Sequence, residues 1–142
     1  MSYFKAKCVW VYDGDTITVR VGDEKEKVRL IGLDCAEKGK GLYWARNATA
    51  FTKRWCYRKI VHIETDIQKR DKYGRILGYV YRPFRKRGKI RRYFLNKFLL
   101  LYGKAKLLII PPNTKHAASL TSSYKWAKKH KMGMWKELFN IH

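Results

Sequence analysis

Three short stretches place acids and arginines at spacings that suit phosphate chemistry. Asp13-Gly14-Asp15-Thr16 interrupts a run of strand-forming residues with two carboxylates. Asp34 follows the apolar run Leu30 to Leu33 directly, and Glu37 comes three residues later. Asp71-Lys72-Tyr73-Gly74-Arg75 adds a third acid and an arginine, and Arg29 precedes Asp34 within the second run. Each stretch has an ordinary structural reading. Asp13-Gly14 is a strong hairpin-turn signal, and acids such as Asp34 and Glu37 suit the first turn of a helix. The turn does not explain Asp15, and the following Lys38-Gly39-Lys40-Gly41 makes a poor helix.

Acid is scarce in this chain, which makes its position informative. There are 33 Lys and Arg against 11 Asp and Glu, a net charge of +22. From Lys72 to His142 only Glu137 is acidic, among 18 Lys and Arg. Such an excess attracts polyanions through counterion release. Nucleic acid is the expected partner, with an anionic membrane surface a distant alternative because neither terminal helix pairs a broad apolar face with a basic one. Carboxylates gathered in a phosphate-binding protein would weaken its binding, and a divalent cation resolves the conflict. Hard cations such as Ca²⁺ take carboxylate and carbonyl oxygens and can neutralise a phosphate oxygen. A carboxylate outside the ligand set can orient or deprotonate a water. Arg29 and Arg75 are the candidates to stabilise charge on a pentacoordinate phosphorus with paired N–H donors.

The elements that must hold these residues are mainly strands. Phe4, Ala6, Cys8, Trp10 and Tyr12 alternate with Lys5, Lys7, Val9 and Val11, and Ile17, Val19 and Val21 continue the pattern. Lys27 to Leu33, Lys59 to Thr65 and Gly74 to Arg82 read as three more strands. Helices are expected from Asn47 to Tyr57 with Asn47 as N-cap, around Phe94 to Tyr102 with Gly103 as terminator, and from Lys115 to Met132. Five strands and three helices predict a mainly β, α+β fold, an oligonucleotide-binding (OB) barrel over a single domain, residues 1–142. An open α+β sandwich is the competing architecture. Cys8, Cys35 and Cys56 are odd in number and form no zinc pattern. The histidines lack partners at metal-ligand spacing. The N-terminus shows no signal-peptide run, so a cytoplasmic location is expected unless a leader has been removed.

The stretches DGDT, RLIGLDCAE, AFTKRW and DKYGR, in this order and spacing, closely resemble the staphylococcal nuclease (thermonuclease) family. The likeness continues through GKAKL, PPNT and AKKHKMGMW. It implies a five-stranded OB barrel with three helices and a Ca²⁺-dependent endonuclease, a phosphodiesterase acting on DNA and RNA. By the resemblance, Asp15 and Asp34 match the carboxylate ligands of Ca²⁺, and Cys35 matches a position, usually threonine, that supplies a backbone carbonyl. Asp13 matches a supporting acid behind them. Glu37 matches the general base or water-orienting group, and Arg29 and Arg75 the phosphate-binding arginines. Lys72 and Tyr73 match residues that contact a terminal phosphate. A monomer acting on single-stranded or locally unpaired substrate is expected.

Two departures from the family pattern bear on substrate binding. The tyrosine pair expected to flank the nucleotide is absent, with Ile109 and Pro111 near those places. The segment Arg82 to Arg92 is unusually basic, and Arg85, Lys86, Arg87, Lys89, Arg91 and Arg92 are expected to grip polynucleotide away from the scissile phosphate. The alternative to an enzyme is a non-catalytic nucleic-acid-binding module on the same barrel.

Overall fold

A computed structural model describes residues 2–36 and 41–136. Strand β1 (Tyr3–Asp13) turns through Gly14 and Asp15 into β2 (Thr16–Val21), and β3 (Glu24–Leu30) follows antiparallel to β2. The other edge of β1 pairs with β5 (Ile60–Glu64), and β5 with β6 (Ile76–Lys86). The start of β6 then pairs in parallel with β3, from Val28↔Ile76 to Leu30↔Gly78. That last pairing joins β3-β2-β1-β5-β6 into a ring of five, as expected for an OB fold. Inside it Ile17, Val19, Val28, Val61, Ile63 and Val80 are fully buried.

Four features differ from the sequence expectation. The simple alternation of β1 fails after Cys8, because Cys8 faces Val19 but Trp10 faces Thr18. Val9 is an extra residue, a bulge that reverses the faces beyond it. Val11 is therefore buried, while Trp10 and Tyr12 are about half exposed. The basic segment, beyond the end of the expected strand at Arg82, is itself a two-stranded hairpin. It joins the end of β6 to β7 (Lys89–Phe94), and Arg87 and Gly88 form its tip with φ of 52° and 75°. The run Lys27 to Leu33 is two strands. Gly32 has φ 89°, and a Cβ there would lie 2.5 Å from Leu120 Cδ1. The chain breaks at that point into β4 (Gly32–Cys35), which pairs with β8 (Ala105–Leu108).

Helix α1 (Leu42–Cys56) begins five residues before the expected start. Asn47 is inside it and accepts a hydrogen bond from Lys104 Nζ at 2.5 Å instead of capping the end. Helices α2 (Leu95–Leu101) and α3 (Ala117–Lys129) fall where the apolar spacing put them, with α3 shorter at both ends. Leu95, Leu99, Leu100 and Leu120 seal the base of the core. No helix among the described residues is long and apolar enough to cross a membrane.

Candidate active site

The turn between β1 and β2 is set by close packing. Gly14 does not have a positive φ. A Cβ there would instead sit 2.7 Å from Ala48 Cβ and 2.8 Å from Cys35 Sγ. The missing side chain lets α1 press on the turn, and Thr52 Oγ1 donates to the Gly14 carbonyl at 2.7 Å. The turn reading of Asp-Gly holds, but its glycine serves the helix contact. Asp13 closes the loop locally by accepting the Asp15 N–H at 3.1 Å.

That packing aims Asp15 at β4. Its carboxylate, 6% exposed, accepts the Cys35 N–H at 2.9 Å and the Thr16 hydroxyl at 3.1 Å. Arg29 lies between the two acids. Its Nη1 is 3.4 Å from Asp15 Oδ2, and its Nη2 is 3.1 Å from Asp34 Oδ1. Nη1 also donates to the carbonyls of Leu30 and Leu33, so the break at Gly32 helps fix the guanidinium. Asp34 is exposed at the cleft edge. Arg75 also lines the cleft. Asp71 accepts the N–H groups of Tyr73 and Arg75 and, at 2.7 Å, Arg75 Nε. That bond orients the rest of the Arg75 guanidinium.

Asp13, Asp15, Arg29, Asp34, Cys35 and Arg75 thus line one cleft of about 850 Å³. An adjoining pocket of about 260 Å³ shares Arg29 and Arg75 and is lined by Lys72, Tyr73, Leu108 and Ile110. Leu108 and Ile110 form part of its apolar wall. Ile109 lies by Gly32 and Leu120 instead. Glu37 lies outside the described residues. The basic hairpin stands apart from the cleft, its tip about 35 Å of strand away from Arg75 along β6. Arg85, Lys86, Arg87, Lys89 and Arg91 are exposed there. Arg92 is engaged with Tyr3, donating to its hydroxyl at 2.8 Å, and lies over the Tyr81 ring.

The sequence reading missed the helical wall of the cleft. Arg46, Thr49 and Lys53 of α1 line it, together with Tyr12. Their spacing of three and four residues is one helix face, and it becomes visible once α1 starts at Leu42. No histidine among the described residues lines the cleft.

The donor set suits a hard cation in kind. Among the described residues no three His, Cys, Asp or Glu side chains converge on a metal position. Asp15 and Asp34 offer carboxylate oxygens, and Ca²⁺ also accepts carbonyls and water. The Cys35 thiol is unsuited, because burial and then the charge of Asp15 hold it protonated, well above its ordinary pKa. Only its backbone is left to serve. Negative charge is crowded in this corner despite Arg29. Burial first, and then Asp15, push the Asp13 carboxyl up to about 6. A bound cation would relieve that crowding.

The comparisons with known proteins agree with the geometry. The family described as "Staphylococcal nuclease homologue" matches residues 27–137. "Thermonuclease" of Staphylococcus intermedius is 32% identical over 130 residues, 89% of this chain and 73% of that protein. "Thermonuclease" of Staphylococcus hyicus is 32% identical over 133 residues, 91% and 74% of the two chains. "Endonuclease YncB" of Bacillus subtilis is 29% identical over 131 residues, 88% of this chain and 58% of that one.

Proposed function

The chain belongs to the family of staphylococcal nuclease homologues, and from that premise we propose that this nuclease hydrolyses phosphodiester bonds of DNA and RNA with the help of bound Ca²⁺. The observation that carries the reading is the convergence of Asp15, Asp34, Arg29 and Arg75 on one cleft. Asp15 and Asp34 would hold the ion with the Cys35 carbonyl, and Asp13 supports them through the Asp15 N–H. When bound, the ion would supply positive charge to a phosphate oxygen.

The protein's own residues do the rest. Arg29 is fixed by two carbonyls and two carboxylates, so it presents donors without reorganising. Arg75, steered by Asp71, lines the same cleft and can bind another oxygen of the same phosphoryl group. Glu37 is assigned as the group that orients or deprotonates the attacking water. Lys72 and Tyr73 are assigned to a neighbouring phosphate, which fits their place beside Arg75. Arg29 has only 15% side-chain exposure, at the cleft floor. A flexible, unpaired strand reaches such a depth more readily than a stiff duplex, which supports a preference for single-stranded or locally unpaired DNA and RNA. Arg85, Lys86, Arg87, Lys89 and Arg91 are assigned to remote phosphates, with Arg92 bracing their hairpin against Tyr3.

The reading is tested by incubating the protein with single-stranded DNA, duplex DNA and RNA, in Ca²⁺, Mg²⁺ or chelator. The expected result is cleavage in Ca²⁺, fastest on single strands, and none in chelator. Tight nucleic-acid binding without cleavage under any condition would return the chain to a binding module.

A further inference from the structure

We infer that a strip of aromatic and basic side chains beside the cleft binds the unpaired strand as it leaves the active site, with Trp10 and Tyr12 as stacking platforms. The inference rests on the nuclease reading and extends it to a site outside the catalytic cleft. The residues are Tyr12, Trp10 and Tyr57, with Lys27, Lys53 and Arg58 among them.

The strip exists because β1 bulges. In a regular strand, without the bulge at Val9, Trp10 would share the buried face of Ala6 and Cys8. A second register shift makes Tyr12 the extra residue between Val11 and Asp13. The result is two neighbouring rings, 52% and 56% exposed. Bulges next to active sites commonly re-aim side chains. Large exposed rings carry a solubility cost unless something binds them.

The strip is continuous with the cleft. Cross-strand pairing puts Asp13, Thr16 and Arg29 in one row and Trp10, Thr18 and Lys27 in another. Trp10 lies three residues from Asp13, about 10 Å along β1. Tyr12 and Lys53 line the cleft themselves. Lys53 Nζ is 5.6 Å from the Trp10 ring centre and 5.5 Å from that of Tyr57. Lys27 Nζ is 5.5 Å from the Tyr12 ring, and the Arg58 guanidinium is 5.1 Å from Tyr57. Rings interleaved with cations are the arrangement that receives bases and phosphates of a single strand together. Side chains two residues apart on a strand are about 7 Å apart. That is twice the 3.4 Å separation of stacked duplex bases, so splayed bases fit and duplex does not. The adjoining pocket is lined by Leu108 and Ile110, and the tyrosine pair expected near Ile109 and Pro111 is absent, which shifts the burden of stacking to this side.

Trp10→Leu removes the π-face and keeps apolar bulk against Tyr57, while Trp10→Phe keeps a ring. Binding is read by fluorescence anisotropy in chelator, on labelled oligothymidylate of about twelve nucleotides, on a dinucleotide, and on duplex DNA. Melting temperatures confirm folding of each variant. Trp10→Leu should weaken binding of the long single strand by roughly 5- to 150-fold. Trp10→Phe should restore most of it. The dinucleotide and duplex affinities should not change, nor should the slope of log K against log salt, since no charge is removed. Lys53→Gln should make that slope shallower by about 0.7.

Equal single-strand affinity for wild type and Trp10→Leu would overturn the strip and leave the nuclease reading intact. Loss of duplex and single-strand binding alike would also overturn it. So would a Trp10 dependence seen only with phosphatidylserine vesicles, or only as self-association by sedimentation. A wild-type protein that binds no oligonucleotide would overturn both the strip and the nuclease reading.

Discussion

Carboxylates gather at two places in this molecule, and their partners differ. Asp66, 2% exposed, accepts hydrogen bonds from the Tyr79 hydroxyl at 2.7 Å and from the N–H groups of Ile67 and Lys115 at 2.8 and 3.0 Å. Its neighbour Glu64 is met by Lys115 Nζ at 2.5 Å, His116 Nε2 at 2.8 Å and the Tyr81 hydroxyl at 3.1 Å. Burial alone would raise both carboxyls, but these partners outweigh it and hold both below the ordinary range. In the cleft the balance goes the other way. Burial and Asp15 push Asp13 up to about 6, and Arg29 only partly compensates. A corner with complete partners ties α3's approach to the sheet. A corner short of positive charge is prepared for something that brings it.

The sharpest test of that difference pairs Glu37, assigned to the chemistry of the cleft, with Asp66 of the other corner. Glu37→Gln is expected to keep the melting temperature and to lower turnover by roughly 10²-fold or more, the scale of a lost general base. Near-normal turnover in the folded variant would remove Glu37 from the chemistry. Asp66→Ala should behave oppositely. It strips an acceptor from three donors and is expected to cost about 3 kcal/mol. In a domain of this size that is roughly 6–12 °C of melting temperature. Specific activity of the folded fraction should stay unchanged. A large loss of turnover there would mean that the two corners are coupled.

The comparison also has a pH signature, read on metal-free protein. Asp66 and Glu64 have folded pKa values below their ordinary values of 3.8 and 4.5. Their contribution to stability is complete above those values and is lost as pH falls through the lower folded ones. Asp13 carries the opposite sign. Its folded value is about 6 against 3.8, so its contribution is complete at acid pH and is lost as pH rises through 6. Asp13→Asn in chelator should therefore raise the melting temperature at neutral pH, with the gain vanishing toward pH 3.8. Asp66→Asn should lower it at neutral pH and converge with wild type in acid. Thermal melts across pH would check both, and a pH-independent Asp13→Asn effect would break the contrast.

The smallest expected effect lies far from either corner. Replacing Arg85, Lys86, Arg87, Lys89 and Arg91 with serine should leave hydrolysis of a small phosphodiester nearly unchanged. If the hairpin touches two or three phosphates, the slope of log K against log salt on a long oligonucleotide should become shallower by roughly 1.4–2.7. An unchanged slope would make the hairpin a solvated basic ornament.

Part of the cleft was legible because acids are scarce in this chain and its acids lie close in sequence to particular arginines. Asp15, Asp34, Arg29 and Arg75 stood out at strand ends, and the structure brings them together. The strands followed from alternation, and their ring closure from the OB expectation. What stayed hidden depended on single-residue register. One extra residue, Val9, turns Trp10 outward, and no residue type announces it. The break at Gly32 is imposed by Leu120, which is remote in sequence. That Leu108 lines the adjoining pocket could not be read either, because the parity of β8 is set by its pairing with β4. Helix α1 starts early without a side-chain cap, so the usual start signal was absent, and Arg46 was hidden with it.

The central claim is that Asp15 and Asp34 form a cation site. Calorimetric titration of Ca²⁺ into metal-free protein, with a nucleotide present, tests it most directly. The account predicts a saturable site in the wild-type protein, and markedly weaker binding in folded Asp15→Asn and Asp34→Asn, because each loses a charged oxygen ligand. Unchanged Ca²⁺ affinity in both variants, or no binding by the wild type, would contradict it.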